Sequence, residues 1–247
     1  MQDTQFVIVE NKTIAGDIFQ LRLEGDLSHV EGPGTFVNLK VPGFFLRRPL
    51  SICDCDRKEG KLILIYRRIG QGTDALTRLS SGKKIDVLTG LGRGFNLSLA
   101  GRRPLLIGGG VGTPPLYWLC RELVKQGAEV QVLLGARDRS SLFYQEAFQK
   151  LGAQVMVATN DGSAGRKGPV TNWMADLNYS FLYACGPNPM LKAVHEKALS
   201  PGQYSFSARM GCGFGVCMGC SIHTLHGPKR VCLEGPVFDG EELLWND

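Results

Sequence analysis

The sequence predicts an N-terminal antiparallel β-domain, then an α/β domain with a largely parallel sheet, then a small cysteine-rich piece. Three observations predict this. Short β-type runs divided by Gly, Pro or Asp fill residues 1–100, and strand-like and helix-like runs alternate over 101–205. Within 206–247, four of the chain's eight cysteines crowd into positions 212–232.

In the first part the runs are FVIVEN, DIFQLRLEG, TFVNLKV, LSICD, KLILIYRRI and KIDVLTG. Evenly spaced short strands with such turns suit a small antiparallel barrel or sandwich. In the second, RRPLLIGGG is an apolar strand ending in glycines, and TPPLYWLCRELVKQG follows with helical spacing. The strand EVQVLLGAR, the helix-like SLFYQEAFQKLG, the strand AQVMVAT, the strand YSFLYACG and the helical NPMLKAVHEKAL complete the alternation. Such alternation predicts a parallel sheet covered by helices. Residues 206–247 hold too little apolar sequence for a core of their own, and a metal centre would supply the missing stabilisation.

Composition narrows the function. Hydrophobic content of 43% and charged content of 21% are ordinary for a soluble globular protein. The net charge of +5 suits an anionic ligand, while the lack of a long basic run argues against nucleic acid. The N-terminus has no basic region followed by an apolar core, so it does not read as a signal peptide. The most apolar stretch, PLLIGGGVGTPPLYWLC, is too short and too broken to span a bilayer comfortably. A cytoplasmic protein without membrane partners is expected, and there eight cysteines point to metal or redox chemistry rather than disulfides.

Gly108, Gly109, Gly110 and Gly112 lie where the first α/β strand meets its helix, which Thr113 and Pro114 open. Without side chains they leave room for a ligand, and the helix start offers unpaired N–H groups to a dinucleotide pyrophosphate. The motif departs from G-x-G-x-x-G, and a tight turn without a ligand is the alternative. Cys185 ends a later strand, where ligands bind in such sheets, although a lone Cys is more often a small buried thiol. Arg48 and Ser51 in LRRPLSICD are placed to face a phosphate, and Gly72-Thr73 opens a short helix. Solvated arginines at strand ends are the alternative there.

Cys212, Cys217 and Cys220 follow C-x4-C-x2-C, and eleven residues separate Cys220 from Cys232. This is the plant-type [2Fe–2S] spacing: three thiolates from one glycine-rich loop and a fourth from outside it. Structural zinc also takes four cysteines, but it tends to pair two short knuckles. His29, His195, His223 and His226 show no ligand spacing, and no carboxylate pair or catalytic Ser or Cys constellation stands out.

RPLS, GGGVGTPP, YACGPNPM and the cluster stretch, in this order, resemble the ferredoxin-reductase superfamily over the whole length. More narrowly, with VCLEGPVFDGEEL at 231–243, the chain resembles the electron-transfer subunits of class 1B, NAD-dependent dihydroorotate dehydrogenase. That resemblance implies an FAD-binding β-barrel (1–100), a Rossmann-like NAD domain (101–205) and a [2Fe–2S] domain (206–247). It implies FAD contacts from Arg48, Pro49, Leu50 and Ser51, from Ile65, Tyr66 and Arg67, and from Gly72 and Thr73. NAD would meet Gly108–Gly110, Gly112 and Thr113, Cys185 would stand beside the flavin ring, and Cys212, Cys217, Cys220 and Cys232 would ligate the cluster.

The implied partner is an FMN-bearing subunit that oxidises dihydroorotate, two copies of each chain forming a heterotetramer. The implied electron route runs from FMN through the cluster and FAD to NAD+, in pyrimidine (UMP) biosynthesis. The alternative is the NAD(P)H-linked subunit of a sulfide dehydrogenase or a bifurcating ferredoxin–NADP oxidoreductase. Those relatives tend to carry Asp at the first cluster position, where this chain has Cys212. Arg137 and Arg139, past the second α/β strand, are placed to meet a 2′-phosphate and would then indicate NADP. They are equally readable as solvated loop charges, and the resemblance implies NAD.

Overall fold

The computed structural model describes residues 1–245. Six antiparallel strands close a barrel: β1 (Gln2–Ala15), β2 (Ile18–Glu24), β3 (Phe36–Lys40), β4 (Arg48–Asp56), β5 (Lys61–Arg67) and β6 (Lys84–Leu91). Their order around the barrel is β1-β2-β5-β4-β3-β6, which decides between barrel and sandwich. Inward residues such as Phe6, Ile8, Leu21, Leu23, Val37, Leu39, Leu62 and Leu64 fill the interior. The alternation expected of half-buried strands puts them there. A short helix, α1 (Gln71–Thr77), follows β5.

The second sheet contains β7 (Leu105–Gly109), β8 (Gln131–Ala136), β9 (Gln154–Thr159), β10 (Arg166–Lys167), β11 (Leu182–Cys185), β12 (Gly202–Ser205) and β15 (Val237–Asp239). Its order is β10-β9-β8-β7-β11-β12-β15, parallel throughout except for β15, which pairs antiparallel with β12. The helices α2 (Pro114–Lys125), α3 (Gln145–Lys150), α4 (Thr171–Met174) and α5 (Asn188–Glu196) connect it. A hairpin of β13 (Ser221–Thr224) and β14 (Gly227–Arg230) lies beyond the cysteine loop.

Helix α2 joins the two larger parts. Trp118 is 5% exposed and packs into the barrel's own core cluster. Three residues on, Arg121 pairs with Asp54 on β4 and donates to the Cys55 carbonyl at 3.0 Å. Burial pushes the Asp54 carboxyl above its ordinary range against the pull of Arg121.

One feature differs from expectation. SLFYQEAFQKLG yields only the six-residue α3, because Tyr144 before it turns left-handed at φ 66°. Residues 206–245 form the small cysteine-rich region and share a core with their neighbour: they return as β15 to the edge of the α/β sheet, and Cys220, Val231, Cys232 and Phe238 join its core cluster. Too little apolar sequence for a separate core therefore meets its solution in a shared one. Among the described residues no helix is long and apolar enough to cross a membrane.

Candidate functional site

On the barrel, β4 and β5 pair only as far as Ile52 with Leu64. Beyond that point Arg48–Ser51 pair with β3 alone, and Ile65–Arg67 pair with β2 alone. The splay leaves Arg48, Pro49, Leu50 and Ser51 half-exposed along one strand edge. Gly72 closes onto the same place: a Cβ there would stand 2.1 Å from the Arg48 Nε. The Arg48 guanidinium lies over the Phe44 ring at 4.9 Å. The first and third expected flavin segments thus meet, and the second borders the same splay. A planar, pyrophosphate-bearing cofactor fits a split strand edge with free backbone groups and a guanidinium beside it. The Thr73 hydroxyl is occupied locally, accepting from the N–H groups of Ile69 (2.9 Å) and Gly70 (3.1 Å).

Within the second segment, strand alternation separates neighbours. The Tyr66 ring lies in the barrel core, 2% exposed, stacked on Phe19 and donating to Asn11 Oδ1 at 3.0 Å. Ile65 is also buried, among Ile18 and Cys53. Any flavin contact from these two falls to their main chain. Arg67 points the other way, 3.4 Å from Asp17, and borders a cavity of about 580 Å³.

That cavity runs from Arg67 past Gly109, Gly110 and Gly112 to Arg137 and Asn160 at the ends of β8 and β9. Its place outside the carboxyl ends of parallel strands suits a dinucleotide. Gly108 and Thr113 lie beneath it, the Thr113 hydroxyl 2.9 Å from where a Gly108 Cβ would be. Of the two arginines weighed for a 2′-phosphate, Arg137 borders the cavity. Arg139 is turned away, its Nε and guanidinium donating to the Ser163 carbonyl at 3.0 and 2.8 Å. Cys185 is buried in the sheet core, 3% exposed, and its neighbour Gly186 faces the cavity. Burial raises the Cys185 thiol to about 12, so it is protonated at neutral pH.

The cysteine loop turns left-handed at Gly213, Gly215 and Met218. This brings N–H groups onto sulfur: Val216 and Cys217 donate to Cys212 Sγ at 3.3 and 3.5 Å, and Cys212 donates to Cys217 Sγ at 3.5 Å. Burial works against ionisation of Cys212, but N–H groups of Phe214, Cys217 and Val216 bring its thiol down to about 6. Cys232 touches Cys220, and burial together with that neighbour pushes it up to about 12. The four thiols therefore stand as two pairs, 212 with 217 and 220 with 232. Two pairs fit a two-iron centre, which needs two thiolates per iron.

The loop rests on the barrel beside Arg48–Ser51, the first expected flavin segment. The Asn38 amide donates to the Cys212 carbonyl at 3.3 Å, and Asn38 is the β3 partner of Pro49. The sequence held no signal for Asn38, which reads there as one polar residue in a strand. His223 and His226 are exposed, as expected of surface polar residues.

Two segments of the chain match known families. Residues 207–244 match the iron–sulfur cluster binding domain of dihydroorotate dehydrogenase B, and residues 106–196 match an oxidoreductase NAD-binding domain. A dihydroorotate dehydrogenase B (NAD+) electron transfer subunit from Geobacillus thermodenitrificans is 42% identical, over 97% of this chain and 98% of its own. Its counterpart from Bacillus mycoides is 41% identical, over 99% of this chain and 100% of its own. Among solved structures, the NADH-dependent reduced ferredoxin–NADP oxidoreductase superposes with a TM-score of 0.88 at 30% identity, covering 98% of this chain and 90% of that one. An Amycolatopsis cytochrome P450 reductase (TM-score 0.70, 24% identity, 81% and 67% covered) shares the fold.

Proposed function

Because the chain belongs to the electron transfer subunits of dihydroorotate dehydrogenase B (NAD+), we propose that its three sites form one path from a partner's FMN, through a [2Fe–2S] cluster and FAD, to NAD+. The family is an oxidoreductase of pyrimidine biosynthesis, and its electron transfer subunit implies a catalytic partner subunit. The flavin supplies the conversion between one-electron and hydride chemistry.

One observation carries the order of the path: Asn38 ties the Cys212 loop to the strand pair that holds Arg48–Ser51. The cysteine loop thereby adjoins one side of the flavin segments. On the other side Arg67 borders the cavity with Gly109, Gly110 and Gly112. This chain's residues bind and orient. Arg48 meets pyrophosphate, the split between β4 and β5 receives the ring system, and Gly108–Gly112 with Thr113 let a dinucleotide approach the backbone. Cys185, in this reading, would lie beside the flavin ring as a neutral thiol, and Gly186, which lines the cavity, would leave room for the nicotinamide. The loop N–H groups steady the thiolates of Cys212 and Cys217, while Cys220 and Cys232 take the second iron. No general base for dihydroorotate is needed in this chain, because that oxidation belongs to the partner.

Functionally the chain divides at about 100 and 205, and two copies assemble with two catalytic subunits in the cytoplasm. NAD rather than NADP is the reading supported by the relatives' specificity and by Arg139 being engaged elsewhere, while Arg137 borders the cavity. The sulfide-dehydrogenase or ferredoxin–NADP alternative keeps the fold and changes the partner. Cys212 speaks against it.

Cys217→Ser and Cys220→Ser, in the complex with the catalytic subunit, are expected to lose the cluster's visible and EPR signals and partner-linked NAD+ reduction while retaining FAD. Full-rate transfer from dihydroorotate to NAD+ in either variant would sink the path.

A further inference from the structure

We propose that Arg230, held by Glu234, tunes the reduction potential of the iron–sulfur centre in addition to joining the two segments that carry its cysteines. The inference rests on the reading that Cys212, Cys217, Cys220 and Cys232 hold that centre.

Arg230 ends β14, two residues before Cys232. Its carbonyl accepts the N–H groups of Leu233 (3.1 Å) and Glu234 (3.0 Å), closing the turn that presents Cys232. The next residue, Val231, donates to the Cys220 carbonyl at 3.1 Å. The Arg230 side chain then crosses to the other segment, and its guanidinium donates to the Gly215 carbonyl, between Cys212 and Cys217. Glu234 fixes that crossing. It accepts from the Arg230 N–H at 2.7 Å and from Nε at 3.1 Å, and also takes a terminal guanidinium nitrogen. One side chain thus touches both ligand segments, and its geometry is set by a fork that lysine cannot reproduce.

The same placement carries an electrostatic consequence. Arg230 and Glu234 are 26% and 25% exposed at their side chains, so solvent screens their charges less than on an open surface. Cys232 and Cys220 both lie within electrostatic reach of the guanidinium. An electron arriving at the centre adds one negative charge, and net charge and hydrogen bonding around a cluster set its potential. The Arg230 cation favours the reduced form, and the Glu234 carboxylate opposes it. Removing each charge therefore moves the potential in opposite directions, whereas a purely mechanical clamp gives both removals the same kind of effect.

The test uses the full chain in complex with its catalytic subunit, poised stepwise with dithionite and mediator dyes while EPR follows the reduced centre. Arg230→Gln is expected to give a more negative midpoint than wild type and Glu234→Gln a more positive one. Arg230→Lys should keep a near-native midpoint yet lose visible cluster absorbance several-fold faster in chelator. Midpoints that move the same way in Arg230→Gln and Glu234→Gln, or that do not move, overturn the proposal. If Arg230→Gln fails to retain the centre, an unshifted Glu234→Gln overturns it alone. A wild-type complex with no such centre, or one that keeps it in Cys217→Ser, overturns the ligand reading and the proposal with it.

Discussion

At Gly112 a Cβ would stand 2.3 Å from the Cys185 carbonyl oxygen, a backbone atom with no freedom to yield. The strand-to-helix turn thus packs directly on the end of β11, and the absence of a side chain is set by that approach as much as by any ligand. Gly72 differs, because the atom its Cβ would meet belongs to the movable Arg48 side chain. Gly112→Ala is therefore expected to lower stability by about 1–3 kcal/mol, the usual range for overpacking. Thermal unfolding measures it, and NADH-driven flavin reduction should weaken in parallel. An unchanged melting temperature would show that the turn relaxes without cost. Single residues also show where sequence reading stopped. Arg67 and Tyr66 are neighbours in one motif, but β-alternation sends one to the cavity and the other to the barrel core.

Among the elements, α2 does two jobs. Leu116, Leu119 and Leu123 pack on the α/β sheet, while Trp118 enters the barrel core cluster. Helical spacing in TPPLYWLCRELVKQG revealed an amphipathic helix, but not that its other face belongs to a different part of the chain. Arg121 seals the contact through Asp54 and the Cys55 carbonyl. Trp118→Ala is expected to cost about 3–5 kcal/mol, as for other large-to-small changes of buried aromatics. Chemical denaturation should show a lower midpoint, with FAD released earlier if the segments proposed to hold it, which lie at the same junction, do so. A loss below about 1 kcal/mol would mean the barrel and sheet do not depend on this helix for their contact.

Over the whole molecule, the tail is integrated and not appended. Val237 and Phe238 are buried, and Gln203 donates to Asp239 at 2.9 Å across the β12–β15 pair. Tyr204 packs edge-on to Trp245, and Phe206 lies beside the same ring. Truncation after residue 205 is thus expected to expose the β12 edge and its aromatic neighbours, giving an aggregating product. The full-length Cys217→Ser chain should remain monodisperse with FAD bound. Size-exclusion chromatography of the two separates loss of the cluster from loss of the strand. A truncated product that stays soluble with native FAD content would contradict the shared core.

By itself the sequence determined the order of the three parts, every strand of the barrel and the chief strands of the sheet. It also supplied the cysteine spacing and the glycine-rich turn. These are local signals: periodicity over five or more residues, turn chemistry, and ligand spacing within one loop. What only the tertiary structure decided has partners far apart in the chain. Of the strands of two to four residues, β11 was legible in YSFLYACG, whereas β10, β12, β13, β14 and β15 are too short to carry a period. The hydrogen bond from Asn38 to Cys212 spans 174 positions, and Arg230 reaches Gly215 across a hairpin. Burial and hydrogen bonding between distant segments selected those contacts, and on them depends whether three separate motifs act as one conductor.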